Sequence, residues 1–210
     1  TTTAAMAAAI LQDGGARVLH NRAGANMAGG IATTLLDLDD ARDVLGLFEV
    51  DEMWLPRLAH DLEPRAIVLG NLFRDQLDRY GELEAIADGW AALLASTDAT
   101  LVLNADDPVL ADLGRERAGT IYFGLDDDAL GQPALGHATD AKHCRNCGAP
   151  YVFDAVYLGH LGRYHCPGCG RARPIPSVTA GEVQLAGVRA ARFMLGTPEA
   201  AQATEQIGKF

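Results

Sequence analysis

The chain has four cysteines, set in two pairs, Cys144-Arg145-Asn146-Cys147 and Cys166-Pro167-Gly168-Cys169, with eighteen residues between the pairs. A Cys-x-x-Cys turn can aim two thiolates at one ion about 2.3 Å away, and two such turns complete a tetrahedral four-sulfur shell, the ligand set of structural zinc. Gly148 and Gly170 each follow the second cysteine of a pair, where a metal knuckle needs a residue tolerant of positive φ. Disulfide, iron and redox chemistry are the competing readings. Cys-x-x-Cys pairs are poor internal staples, however, and nothing in the sequence reads as a secretion signal. With cysteine in all four positions, no coordination site stays open for catalysis. The zinc would organise a small module and leave the reaction to other residues.

Charge singles out the same stretch. The 210 residues carry a formal charge of −11, yet Lys142 to Arg173 holds Lys142, Arg145, Arg163, Arg171 and Arg173 against the single acid Asp154. That stretch is therefore +4 and the remainder −15. The acidity of the whole argues against a general polyanion-binding surface, since phosphate backbones are held chiefly by Lys and Arg. The basic module either keeps a small domain soluble or docks an acidic partner or substrate. Tyr151, Phe153, Tyr157 and Tyr164 interleave with the bases, which fits single-stranded nucleic-acid binding or the packing of the module's own core. Hydrophobic residues make up 49%, enough for a core, but the apolar runs are too short to span a bilayer. The sequence reads as a soluble, cytoplasmic protein that does not cross a membrane and has no nucleic-acid partner.

The elements that must position such residues alternate. Thr1 to Leu11 is an alanine-rich helix ended by Asp13-Gly14-Gly15, followed by a strand at Arg17–His20. A buried parallel strand is expected over Val44 to Val50, carrying Glu49 and followed by Asp51; then come a helix over Leu55–Leu62 with Pro56 in its first turn and a strand at Ala66–Leu69. Leu83, Ile86, Ala87, Trp90, Leu93 and Leu94 recur at the helical period, giving a helix over Glu82–Ser96. Strands at Thr100–Leu103 and Thr120–Phe123 follow, with Asp107 and Pro108 as N-cap and first-turn proline of a short helix between them. Val183–Leu185 and Arg192–Leu195 read as strands around a turn. Strand and helix alternation implies an α/β fold with a parallel sheet flanked by helices, whose ligands gather at the carboxyl ends of the strands. Four polar clusters stand there: His20-Asn21-Arg22, Glu49 to Glu52, Asn71 to Tyr80, and Asn104 to Asp107.

These clusters carry a resemblance. The segments His20-Asn21-Arg22-Ala23-Gly24-Ala25-Asn26-Met27, Phe48-Glu49-Val50-Asp51-Glu52, Gly70 to Glu82 and Leu103-Asn104-Ala105-Asp106-Asp107-Pro108 resemble the central ATPase domain of the Mur ligase superfamily. A four-cysteine ribbon inserted late in that domain marks the superfamily's amidating branch. The resemblance implies a P-loop-type parallel sheet over residues 1–135, a zinc-ribbon insert over 140–175, and return strands of the central domain over 176–210. It also implies ATP and Mg²⁺. The family's phosphate loop ends in Gly-Lys-Thr-Thr, and Thr1-Thr2-Thr3 matches only its end, so the glycines and lysine are expected before Thr1 and the chain as given is expected to be a poor ATPase. Thr1, with Thr2 as fallback, would ligate Mg²⁺ through its hydroxyl. Glu49 would be the carboxylate that holds magnesium between nucleotide and acceptor, as a hard anionic oxygen suits, although a strand-end acid can also be merely solvated. Asn104 would hydrogen-bond the adenine edge, and Asp107 would assist it or act as a helix cap alone.

Two departures separate branches of the superfamily. Where amino-acid-adding members have Asp-His in the middle motif, this chain has Asp75-Gln76, and the helix after Tyr80 holds no lysine. Both point away from adding an amino acid and toward the amidating branch, for which the resemblance implies lipid II as substrate at the inner membrane face, activation of a D-glutamate α-carboxylate by ATP, and ammonia from a GatD-like glutaminase subunit. The alternatives are an amino-acid-adding ligase and a nucleic-acid-binding zinc ribbon.

Overall fold

Alanine has the least to lose on entering a helix, and it supplies five of the twelve residues of α1 (Thr2–Asp13). In the computed structural model, which describes residues 2–21, 24–73, 82–132, 140–186, 190–197 and 200–209, the chain divides into two units, Thr1–Glu63 and Pro64–Phe210. In the first unit, α1 ends where Gly15 adopts φ +87° and Ala16 N–H reaches back to the Leu11 carbonyl at 3.0 Å. The chain reverses into β1 (Arg17–His20), against which α1 packs.

Next comes α2 (Ala28–Leu36), a helix the sequence does not announce, because two glycines and two threonines are weak helix formers. It forms because its context demands it. Ile31 is 1% exposed, and a side chain on Gly30 would bring Cβ to 2.5 Å from the Ala25 carbonyl oxygen. The Thr33 and Thr34 hydroxyls bond back to the Gly29 and Gly30 carbonyls, which satisfies groups that otherwise compete with the helix. The following strand, β2 (Val44–Leu47), pairs in parallel with β1 from Arg17↔Val44 to His20↔Leu47. It stops three residues short of the expected Val50. Then α3 (Leu55–Leu62) opens with a proline in its first turn and ends at Glu63, whose left-handed backbone (φ 45°) sends its N–H to the Ala59 carbonyl.

The second unit begins with β3 (Ala66–Leu69), α4 (Glu82–Ser96), β4 (Thr100–Asn104), α5 (Pro108–Leu113) and β5 (Ile121–Leu125). A hairpin of β6 (Val152–Leu158) and β7 (Leu161–His165) stands in its own antiparallel ladder, after which β8 (Val178–Ala186), β9 (Ala190–Thr197) and β10 (Ala200–Lys209) complete a six-stranded sheet in the order β10-β9-β8-β5-β4-β3. Strands β3, β4, β5 and β8 run parallel, while β9 and β10 return antiparallel. Ile86, Ala87, Trp90 and Leu94 of α4 are buried, as are Ile67, Leu69, Leu101 and Leu103 of the sheet and Leu110 and Ala111 of α5. Fully burying each large apolar side chain contributes roughly 1.5–3 kcal/mol. This is the α/β arrangement that the alternating pattern implied. The β8–β9 hairpin is longer than the two short strands expected, and β10 lies within the 176–210 range given to return strands although no separate strand was read there. Among the described residues no helix is long and apolar enough to cross a membrane.

Candidate functional site

The ribbon is built from two knuckles of the same design. In the first, Gly148 N–H donates to the Cys144 carbonyl at 2.7 Å and Cys144 N–H to the Ala149 carbonyl at 2.8 Å; in the second, Gly170 N–H donates to the Cys166 carbonyl at 2.9 Å and Cys166 N–H to the Arg171 carbonyl at 2.6 Å. Gly148 and Gly170 have φ of +76° and +74°, the left-handed conformation their positions called for. The four sulfurs lie within 4.8 Å of one another, with Cys144 Sγ 3.6 Å from Cys169 Sγ and Cys147 Sγ 3.4 Å from Cys166 Sγ. A tetrahedral zinc with sulfurs at about 2.3 Å needs S···S separations of about 3.8 Å. The thiols, none of them in a disulfide, therefore fit one ion. Cys144 and Cys166 are buried, and Cys147 and Cys169 exposed.

Beneath the knuckles, the interleaved aromatics form the module's core. Tyr151 and Tyr164 meet edge to face at 5.1 Å, Phe153 sits 5.8 Å from Tyr164, and all three pack with Cys144 and Cys166 against Ala111 of α5. Tyr164 is deeply buried and its hydroxyl has no partner among the described residues; burial pushes its pKa well above the ordinary tyrosine value.

The module's arginines turn inward too. Arg171 Nη1 reaches Asp112 Oδ2 at 3.0 Å, and Arg173 Nε reaches Asp106 Oδ1 at 2.6 Å, while Arg145 and Arg163 pair with Asp88 and Asp128. Arg115 Nε takes the other oxygen of Asp112 at 2.9 Å and its Nη2 reaches the Ala172 carbonyl. The positive excess read from the sequence thus meets the acids of the chain's own α/β body. Arg145 and Arg163 pair at the surface, where an ion pair contributes little, about 0–1 kcal/mol. Asp106 and Asp112 have side chains only 4% and 8% exposed, and losing their partners there would leave a buried charge uncompensated. Burial pushes the Asp106 carboxyl above the usual aspartate range, with the Arg173 charge pulling the other way.

The loops at the carboxyl ends of β3, β4 and β5 are laced to one another. Asn104 Oδ1 accepts from Asp106 N–H at 2.9 Å, an Asx turn that closes the end of β4. Asp106 Oδ2 accepts from Leu125 N–H, tying that turn to the end of β5. Asp107 is the expected N-cap of α5: its Oδ1 accepts from Val109 N–H at 2.9 Å and Leu110 N–H at 3.3 Å. Its Oδ2 accepts from Leu72 N–H, just beyond β3, at 2.9 Å, and faces His160 Nε2 at 3.3 Å. Asp107 is 0% and His160 1% exposed. His160 stands at the tip of the β6–β7 hairpin, 53 residues from Asp107, so sequence reasoning passed over it; a histidine in a hairpin turn gives no local signal.

In the first unit the corresponding edge is set by one amide. Asn21, 1% exposed, follows β1 and spans to the segment after β2: its Oδ1 accepts from Glu49 N–H at 2.8 Å and its Nδ2 donates to the Glu49 carbonyl at 2.8 Å and to the Ala25 carbonyl at 2.8 Å. The side chain thus takes over the hydrogen bonding where the β1–β2 ladder stops, which is why β2 ends at Leu47. Asp51 N–H donates to the Asn26 carbonyl, and Asp51 Oδ1 accepts from Met53 N–H as the chain turns into α3. Glu49 is half-buried with its backbone fixed on both sides. Thr2 is exposed at the first turn of α1. Because the chain reverses tightly between α1 and β1, that helix start belongs to the strand-end side of the sheet, as Glu49 does. Thr1, Arg22 and the Asp75-Gln76 pair lie outside the described residues.

With the Glu49 segment of the first unit and the four-thiol ribbon of the second each described, comparison with known proteins becomes informative. Residues 1–151 match the Mur ligase middle domain, and the chain belongs to that family. It is 31% identical over 173 residues, 82% of the chain, to the lipid II isoglutaminyl synthase (glutamine-hydrolyzing) subunit MurT of Staphylococcus aureus, and 34% identical over 186 residues to the MurT of Streptococcus pneumoniae. The chain spans 39% of the length of each of those relatives. The UDP-N-acetylmuramate–L-alanine ligase of Thermobifida fusca is 36% identical over 120 residues, 56% of the chain. Among solved structures, MurF from Acinetobacter baumannii superposes with a TM-score of 0.56 at 14% identity, covering 93% of this chain and 33% of that one, a likeness of fold.

Proposed function

We propose that the protein to which this chain belongs is the ligase subunit of an amidating enzyme, converting the D-glutamate α-carboxylate of the lipid II stem peptide to D-isoglutamine in the cytoplasm. Relatives named as the MurT subunit of a glutamine-hydrolyzing lipid II isoglutaminyl synthase resemble it over 82% of the chain, and Asp75-Gln76 in place of Asp-His points the same way. The observation that carries the ligase reading is the half-buried Glu49, fixed at the end of β2 by Asn21. A carboxylate so held is positioned before any ligand arrives, which lowers the cost of organising a charged reaction centre.

A carboxylate at neutral pH does not acylate ammonia, so it must first be activated. One carboxylate oxygen attacks the γ-phosphorus of ATP, the bond to the β-phosphate bridging oxygen breaks, and ADP leaves. Ammonia then attacks the acyl carbon, phosphate departs with the C–O bond electrons, and the surplus proton passes to solvent. Magnesium, when bound, neutralises the phosphate charge and orients the two reactants. Glu49 would supply its protein carboxylate and Thr1 or Thr2 its hydroxyl ligand. Asn104 faces the adenine end, and Asp107 holds the loop that carries Asn104. Zinc, held by Cys144, Cys147, Cys166 and Cys169, is structural. Ammonia comes from a GatD-like glutaminase partner, a reading supported by relatives named as subunits of a glutamine-hydrolyzing synthase.

The test uses the full-length protein with its glutaminase partner, ATP, glutamine and lipid II, read by mass spectrometry. Conversion of a carboxylate to a carboxamide, abolished by Glu49→Gln, is the expected result. A product enlarged by an amino acid would move the protein to the amino-acid-adding branch, and full activity of Glu49→Gln would overturn the role of that acid.

A further inference from the structure

We propose that His160 is a positioning residue through which the zinc ribbon sets the nucleotide end of the ligase site. The inference rests on the reading of Asn104 to Pro108 as a nucleotide motif. Capping α5 uses one oxygen of Asp107; the other is held between Leu72 N–H, at 2.9 Å, and His160 Nε2, at 3.3 Å. For His160 to donate to that carboxylate, its proton must sit on Nε2, and Nδ1 is then a buried acceptor with no partner among the described residues. Packing alone gains nothing from this choice. A phenyl ring would fill the same space beside Phe73, whose centroid is 4.8 Å from the imidazole, and would leave no polar atom unpaired. What the imidazole adds is one donor aimed at Asp107.

The ribbon tip is pressed onto the loop after β3 as well. Gly159, at φ +58°, has no room for a side chain, since a Cβ there would sit 2.8 Å from the Phe73 ring. From the other side, Gly162 N–H donates to the Asp106 carbonyl at 2.9 Å and Arg173 grips the Asp106 carboxylate. The hairpin therefore fixes Leu72 and Phe73, which open the long middle motif, and Asp106 and Asp107, which close the β4 turn around Asn104. The placement of all four depends on the hairpin's own fold, which hangs from the metal knuckles at Cys144–Cys147 and Cys166–Cys169. Zinc occupancy is thus transmitted to the handling of ATP although the ion takes no part in the reaction.

The full-length protein with its partner decides the matter through three forms: wild type, His160→Phe, which keeps the ring but loses the donor, and His160→Gln, which restores a donor. With zinc content and melting temperature matched to wild type, His160→Phe is expected to raise the KM for ATP roughly tenfold with a smaller change in kcat, the loss of one charge-assisted hydrogen bond. His160→Gln is expected to recover part of that loss. An unchanged KM in His160→Phe, or equal impairment of both variants, overturns the inference. Should His160→Phe fail to fold, binding of a fluorescent ATP analogue to wild type before and after zinc chelation reads the same coupling: a roughly tenfold loss of affinity is expected, and unchanged affinity overturns it. Wild type that binds no Mg-ATP in these assays would overturn the functional reading itself and this inference with it.

Discussion

The ribbon and the loop at the end of β2 solve the same problem, holding charged or polar groups in place, by opposite means. The ribbon brings four thiols from two short segments to a spacing that fits one ion, then backs them with three aromatics and several inward-facing arginines. The Glu49 loop recruits no ion for its shape; a single buried amide, Asn21, holds the backbone on both sides of the residue that matters. One design makes a module whose fold depends on its ligand. The other makes a site that is shaped in advance and waits for one.

The largest effect should come from removing the metal. Structural zinc contributes about 10–16 kcal/mol of metal-linked folding energy in small modules, as much as the net stability of a typical domain. Chelation, or Cys144→Ser with Cys166→Ser, is expected to unfold the ribbon, seen as loss of the tyrosine near-ultraviolet signal and new protease cleavage between residues 140 and 176. Lowering the pH should favour the same loss, because the thiols must ionise to bind. A ribbon that kept its tyrosine signal without metal would break the contrast.

Asn21→Ala should come next. It leaves the Glu49 and Ala25 groups without their partner in a buried setting, at about 1–3 kcal/mol for each unsatisfied group. The expected outcome in the full-length protein is a lowered melting temperature and a larger fall in ligase activity than in zinc content, which would stay unchanged. If activity survived intact, the preset backbone would not matter to the reaction.

The smallest effect has the opposite sign. Tyr164 buries a hydroxyl with no partner among the described residues, so Tyr164→Phe is expected to raise the ribbon's stability by about 1 kcal/mol, measured by denaturant unfolding of the zinc-loaded protein. A loss of stability would reveal a hydrogen bond that the ribbon core depends on.

How much of this could be read in the sequence varies with the range of the interactions. The knuckles were legible because their chemistry is local: ligand spacing and a following glycine. The helix at Glu82–Ser96 and the cap at Asp107-Pro108 were legible for the same reason, since period and capping chemistry act within a few residues. Helix α2 was hidden because its glycines and threonines are selected by tertiary fit, Gly30 against Ala25 above all. The ribbon's positive charge was visible, but its destination was not: Arg171 and Arg173 find Asp112 and Asp106 some sixty residues back, and only the fold brings those positions together. His160 lay beyond reach for the same reason.

The ribbon's place in the topology has one more implication. It interrupts the crossover between β5 and β8, which are direct neighbours in the sheet, so the α/β body could in principle be reconnected by replacing residues 132 to 176 with a plain parallel crossover of about a dozen residues. Such a replacement would take Arg173 from Asp106, His160 from Asp107 and Arg171 from Asp112, leaving Asp112 with Arg115 alone. A lineage or an engineer discarding the appendage would have to neutralise those acids in the same step, so the ribbon is hard to lose even where its metal has no chemical task.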